Sequence, residues 1–287
     1  MEVKLGKLEP LIDKRTIPLK AIIRAELLPE LPPSYNIDES LGGIEDNFVF
    51  NNFMYGDCVI AARAHQTLRF EKFEQGVQIP IADQEVIDQY FKETGGRDTG
   101  LVLLTSLKRW RNEGWKVGDK VYTIYAFASV DWKNHDEVKH CIHLLGGVNF
   151  GMMVFQKDLD QFNANEEWQL TGSNGSFKGR HGVYLYAYTD EHHDCPHCAV
   201  GWDDKGLICM TWGKRQRMSW DFWDARIDEA YGIVDNRNKW MGESPVDVEK
   251  LDAYLNEIAG TPPDNGGCFV AGYIKKLGKK MAKGLGW

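Results

Sequence analysis

The apolar residues of this chain change their spacing once, near residue 120, and that change limits the folds open to it. Before it, CVIAARAHQTLRFEKF, DQEVIDQYFKET and GLVLLTSLKRWRNEG read as helices. In the first, Ile60, Ala64, Leu68 and Phe73 approximate one helical stripe, and Gly76 follows. Gly95 and Gly96 stop the second. After it, VYTIYAFASV, VNFGMMVF, GVYLYAYT, GLICMTW and AYGIVD are rich in β-branched and aromatic residues and read as strands. A single helix, HDEVKHCIHLLG, interrupts them, with Asn134 placed to cap it. Helices first and strands second predict an α+β chain with a helical lobe and a β-rich lobe.

The flanks read differently. Residues 1–33 end in LLPELPPSY, where Pro32 and Pro33 disfavour helix, so an extended N-terminal arm is expected. Residues 34–235 form the domain, its helical lobe about 34–120 and its β lobe about 121–235. Residues 236–287 hold a C-terminal helix and a basic tail. In SPVDVEKLDAYLNEIAG, Ser244 is a candidate cap, Pro245 suits the first turn and Gly260 can end the helix. The tail sets Lys275, Lys276, Lys279, Lys280 and Lys283 among Ile274, Leu277, Met281 and Leu285. That amphipathic spacing suits an anionic partner surface or a membrane interface, though four glycines between Gly272 and Gly286 weaken it as a helix.

Composition excludes several classes. With 43% hydrophobic residues the chain can close a core, so disorder is not expected. A net charge of −8 argues against a nucleic-acid partner. The opening MEVKLGKLEPLIDKRTIPLK has no apolar run of the kind a signal peptide carries. The expected location is therefore cytoplasmic, or a particle assembled inside the cell, with reduced thiols.

One cysteine stands apart. NNFMYGDCVIAARAHQ puts Cys58 after a turn and at a helix start, where the helix dipole favours a thiolate nucleophile. A histidine from elsewhere in the fold can then serve as its base. Taken alone, this position favours a buried structural cysteine over a nucleophile.

The order of the surrounding landmarks resembles the papain-like cysteine peptidase superfamily over roughly residues 33–235. PPSYNIDES looks like that family's mature start, and NNFMYGDC like its loop carrying an oxyanion-hole amide six residues before the nucleophile. HDEVKHCIHLLGGVNFGMMV matches the entry into the second lobe, and GRHGVYLYAY the strand that begins with the catalytic histidine. GLICMTWGKRQRMSW and DEAYGIVD look like the closing tryptophan–glycine segment and the final strand. The resemblance implies a two-lobed papain-like fold with a cleft between the lobes. It implies Cys58 as nucleophile, His181 as base and Asn52 as oxyanion donor beside the Cys58 backbone N–H. No cofactor is required, and the substrate is a peptide or isopeptide bond.

Three departures accompany it. Asn52 is shorter than the family's usual glutamine, Asp57 puts a carboxylate beside the nucleophile, and Met210 falls where the residue orienting the histidine is expected. Met210 cannot accept a useful hydrogen bond from imidazole. A Cys58–His181 dyad needs no third member, and Asp203 is an alternative acceptor. Two readings follow: a thiol hydrolase, or a catalytically silent papain-like module. In the second, residues 1–33 and 236–287 would contact neighbours in an assembly such as a phage virion.

Other histidines and cysteines have weaker claims. EHHDCPHC gathers His192, His193, Cys195, His197 and Cys198, chemically suited to zinc. All five fall within seven residues, with no second distant pair, so a polar hairpin loop without metal is expected. His65 lies two helical turns from Cys58, too far to act on it, and is expected in a core hydrogen bond. His135, His140 and His143 share one helix and read as a solvated face.

Overall fold

The computed structural model describes residues 3–190 and 205–260. Along the chain run α1 (Ile37–Ser40), α2 (Cys58–Gln75), α3 (Asp83–Thr94), α4 (Leu103–Asn112), α5 (His135–Leu145), α6 (Gln156–Ala164), α7 (Trp220–Arg226) and α8 (Val248–Gly260). Between them lie β1 (Ser34–Asn36), β2 (Trp115–Val117), β3 (Lys120–Tyr122), β4 (Ala126–Ser129), β5 (Val148–Phe155), β6 (Phe177–Thr189), β7 (Gly206–Thr211), β8 (Lys214–Met218) and β9 (Ile227–Val234).

Helix α2 is the axis of the first lobe. From Cys58 through Glu71 it is buried on all sides, which is why its sequence lacks a clean polar face. The apolar residues Ile60, Ala64 and Leu68 join the core as expected, but Phe73 is exposed beneath the Lys239 ammonium. Burying α2 all round also buries its arginines, and buried charges need partners. Arg63 reaches Glu93 at 2.9 Å and the Ser106 carbonyl at 2.9 Å. Arg69 grips both Asp38 oxygens, at 2.7 and 2.9 Å, and Asp46 at 2.6 Å. Gly76, in the left-handed region at φ 71°, ends the helix by returning its N–H to the Lys72 carbonyl.

The second lobe is a seven-stranded antiparallel sheet in the order β4-β9-β5-β6-β7-β8, with β1 paired to the far end of β6. VYTIYAFASV is two strands rather than one. Trp115–Val117 pairs with Lys120–Tyr122 in a separate hairpin, and Ala126–Ser129 then pairs with β9. The β propensity of the run is real, but Thr123–Tyr125 carries the chain from one sheet to the other.

Both flanks pack on the lobes. Ile17, Leu19 and Ile22 from the arm, and Val246, Val248 and Leu251 from the C-terminal segment, all enter the second-lobe core. The Ile17 carbonyl accepts from Ser129 N, so the arm covers the β4 edge of the sheet. Helix α8 begins later than Ser244 suggests. Asp247 caps it by accepting from Lys250 N, while Ser244 closes a local turn to Val246 N. Among the described residues no helix is long and apolar enough to cross a membrane.

Candidate active site

Packing of α2 against β6 brings Cys58 to Gly182, the residue that follows His181 on the strand. Gly182 lies flat on the first turn of α2: a Cβ there would sit 3.1 Å from Val59 Cγ2. The absence of that Cβ lets the Gly182 N–H donate to Cys58 Sγ at 3.3 Å. Asp57 is the N-cap residue, and Cys58 opens the helix. Cys58 at the start of α2 and His181 on β6 therefore lie in neighbouring parts of the lobe interface, joined through Gly182.

His181 is buried, and its ring stacks on Trp212 with centroids 4.0 Å apart. Nε2 pairs with Thr211 Oγ1 at 2.6 Å, and Nδ1 has no hydrogen-bond partner. The side chain bonded to the imidazole is therefore Thr211 and not its neighbour Met210, the position the resemblance implies. Successive strand residues face opposite ways, so an offset of one from Trp212 exchanges a thioether for a hydroxyl. A threonine hydroxyl can accept the Nε2 proton, which leaves the Nδ1 lone pair free to act as a base. Among the described residues, no hydrogen bond joins Cys58 Sγ to either ring nitrogen. Asp203, the alternative acceptor, and the EHHDCPHC segment lie outside the described residues.

Asn52 does not stand ready as an oxyanion donor. Its loop turns through two left-handed residues, Phe50 at φ 53° and Asn51 at φ 62°. That turn buries the Asn52 amide, which donates to the Tyr55 carbonyl at 3.1 Å and to Asp57 Oδ1 at 2.8 Å. Both amide hydrogens are thereby committed. Asn52 instead braces the loop and Asp57. Burial pushes the Asp57 carboxyl up to about 7 against the pull of Asn52, and its Oδ2 has no partner. Near neutral pH the charge opposing the thiolate is thus partly removed.

The cleft is filled by the chain's own N-terminus. Lys4 N donates to the Asn52 carbonyl at 3.3 Å, and the Lys4 carbonyl accepts from Trp212 Nε1 at 3.3 Å. Leu101 pairs with the arm on both sides, its N–H to the Gly6 carbonyl at 2.8 Å and its carbonyl from Leu8 N at 2.9 Å. Lys7 N donates to the Arg180 carbonyl at 3.2 Å. At the centre Gly6 lies beside Cys58, and its backbone N–H is among the groups that favour the thiolate. The fit depends on glycine: a Cβ on Gly6 would lie 1.8 Å from the Gly56 carbonyl oxygen, and one on Gly100 would lie 2.3 Å from the Gly6 oxygen. No sequence signal pointed to this plug, because nothing in VKLGKLE names its distant partners.

Occlusion sets the state of both groups. Burial pushes the Cys58 thiol up to about 11, although the Gly182 and Gly6 N–H groups favour the thiolate. Burial drives His181 down to about 3. With the arm in place the pair is a neutral thiol and a neutral imidazole. The Gly6 carbonyl is also engaged, accepting from the Leu101 N–H at 2.8 Å.

The remaining histidines do structural work. His65 Nδ1 bonds Asp46 at 2.8 Å beneath Phe50. His135 stacks on Trp220 and bonds Asp224, and His140 bonds the Asp136 carbonyl. Among the described residues no cluster of His, Cys, Asp and Glu has the geometry for a metal ion.

No protein-family profile and no curated protein matches the chain. Solved structures do. Xylellain, a cysteine protease from Xylella fastidiosa, aligns over 82% of this chain and 97% of its own, with TM-score 0.61 and 15% identity. A procathepsin B from Trypanosoma congolense aligns over 81% and 86%, with TM-score 0.55 and 11% identity. A Carica candamarcensis cysteine protease aligns over 72% and 100%, with TM-score 0.51 and 15% identity. The chain has the α+β, two-lobed papain-like fold, with the cleft between its lobes.

Proposed function

On this papain-like fold, we propose that the chain is a thiol hydrolase of peptide or isopeptide bonds, held latent by residues 3–9. The observation that carries the reading is the arm itself: residues 4–8 hydrogen-bond to Asn52 and Leu101 on one wall of the cleft and to Arg180 and Trp212 on the other, beside Cys58. Once the arm leaves, water re-enters and the burial that separates the two pKa values is relieved. Nδ1 of His181 takes the thiol proton while Thr211 holds Nε2. The thiolate attacks the carbonyl carbon of a bound peptide, and the Cys58 N–H, at the start of the helix, donates to the developing oxyanion. The imidazolium returns its proton to the leaving amine. Water, deprotonated by the same ring, then splits the thioester.

The silent-module reading draws on the same site, because the thiol is protonated, Asn52 is committed elsewhere and Sγ makes no bond to the imidazole. The two separate on reactivity. Full-length protein carrying Gly6→Leu, whose side chain the Gly56 wall cannot admit, should have its cleft opened. Its Cys58 should react with iodoacetamide at pH 7.5 at least about tenfold faster than in the unaltered chain, with Cys58→Ser as the site control. Equal rates would remove the latent-nucleophile reading and leave the module.

A further inference from the structure

Beside the nucleophile, the arm buries a lysine. Lys7 is fully buried along its side chain, and its Nζ lies 2.9 Å from Asp228 Oδ1 and 2.7 Å from Glu229 Oε1. Both carboxylates are held from behind. Asp228 Oδ2 accepts from Arg180 Nε at 3.0 Å, and Glu229 Oε2 accepts from the Tyr231 hydroxyl at 3.0 Å. The floor is Gly151, where a Cβ would sit 1.8 Å from Lys7 Cε. The recess is thus cut to the length of a lysine stem, with two fixed carboxylates at its end.

We propose that this recess, formed by Gly151, Arg180, Asp228 and Glu229, is a specificity subsite for a lysine or arginine side chain of the peptide that occupies the cleft. As a substrate subsite it rests on the hydrolase reading; as a peptide-binding pocket it does not. Charge balance carries the argument. Arg180, which also meets the exposed Glu9 of the arm at 3.1 Å, offsets Asp228, and Lys7 offsets Glu229; Lys7 and Glu9 leave together with the arm, so Arg180, Asp228 and Glu229 then keep one uncompensated negative charge. Glu229 is only 4% exposed, and a buried carboxylate without a cation is strongly disfavoured. Burial pushes the Glu229 carboxyl up, and Lys7 is the nearest group pulling it back. An apolar side chain in the recess would leave that charge unpaired, whereas a lysine or arginine restores what Lys7 supplied. Lys7 follows Gly6 directly, so the pocket lies one residue from the glycine beside Cys58.

The test uses full-length Gly6→Leu protein, its cleft vacated, and a labelled synthetic peptide of residues 1–12 added in trans. Its partner peptide carries norleucine in place of Lys7. Fluorescence anisotropy should show the lysine peptide binding at least about thirtyfold more tightly. Adding Glu229→Gln, which keeps the shape and the Tyr231 bond, should bring that ratio below about threefold. Asp228→Asn is the second variant should the first fail to fold. Equal binding of the two peptides, no binding of either, or a ratio untouched by both variants would overturn the subsite. A random peptide pool with mass-spectrometric readout separates the two claims. Cys58-dependent cuts should cluster beside lysine or arginine, and cuts without that bias would overturn the subsite. Selective binding with no cuts at all would sink the hydrolase and sustain the pocket.

Discussion

Thr211→Val removes the contact that fixes the base while leaving the shape of the side chain almost unchanged. Thr211 and His181 are both buried, and their bond is 2.6 Å long. Valine leaves Nε2 with no acceptor. A buried donor stripped of its partner costs about 1–3 kcal/mol, which for a domain of this size lowers the melting temperature by roughly 2–5 °C. The functional loss is separate. Without an acceptor at Nε2 the ring no longer favours the tautomer with a free Nδ1, and it can rotate over Trp212. Peptide hydrolysis by the Gly6→Leu protein should then fall about 10- to 100-fold in kcat with KM nearly unchanged, since Thr211 is placed behind the ring and not in the peptide's path. Thr211→Ser should restore most of it. Long-range 1H–15N spectra of the ring report the tautomer directly: a protonated Nε2 in the unaltered chain, and a mixture in the valine variant. A valine variant with an unchanged tautomer, melting temperature and kcat would show that Thr211 does not orient the base.

Asp57→Asn keeps the bond to Asn52 and removes a charge that adds to burial in opposing the Cys58 thiolate. Cys58 alkylation at pH 8 in the Gly6→Leu background should rise roughly two- to tenfold, and an unchanged or slower rate would contradict that role. Arg69→Met leaves Asp46 with His65 alone and Asp38 with the half-exposed Arg215, and should cost up to about 3–5 kcal/mol in urea unfolding followed by tryptophan fluorescence. Acid should act on the same network. Burial pushes Asp46 up, but His65 and Arg69 outweigh it and hold the carboxyl at about 2. A depressed carboxylate stabilises the fold above its ordinary value of 3.8, so that contribution should be lost as pH falls from about 4 to 2. Asp46→Asn should flatten stability across that window.

What the sequence disclosed was mostly local. DQEVIDQYFKET and VNFGMMVF are α3 and β5 residue for residue, because a glycine cap ends the first and unbroken apolar character marks the second. Asn134 caps α5 through Glu137 N, as its position suggested. Longer-range features were hidden. The pairing partners of VYTIYAFASV depend on which sheet each half joins, and propensity is silent on that. Counting back from Trp212 selected Met210, but strand alternation turns Thr211 toward the imidazole. The landmark offset placed Asn52 in the loop before Cys58, yet the hydrogen bonds it makes to Tyr55 and Asp57 follow from a left-handed turn at Phe50 and Asn51. An arm was expected over residues 1–33, and residues 3–9 lie on the chain's own cleft. The landing of Gly6 on Cys58 and of Lys7 between Asp228 and Glu229 is tertiary information that no local pattern encodes. The basic tail, expected to meet an anionic surface, lies outside the described residues.

The account stands on Cys58 and His181 acting together once the arm is displaced. The most direct measurement is hydrolysis of a defined peptide pool by full-length Gly6→Leu protein, compared with the unaltered chain and with Gly6→Leu combined with Cys58→Ser or His181→Ala. The account predicts cleavage by Gly6→Leu, little by the unaltered chain, and a loss of at least about a thousandfold in either double variant. Cleavage that survives Cys58→Ser, or a correctly folded Gly6→Leu protein that cuts nothing, would contradict it.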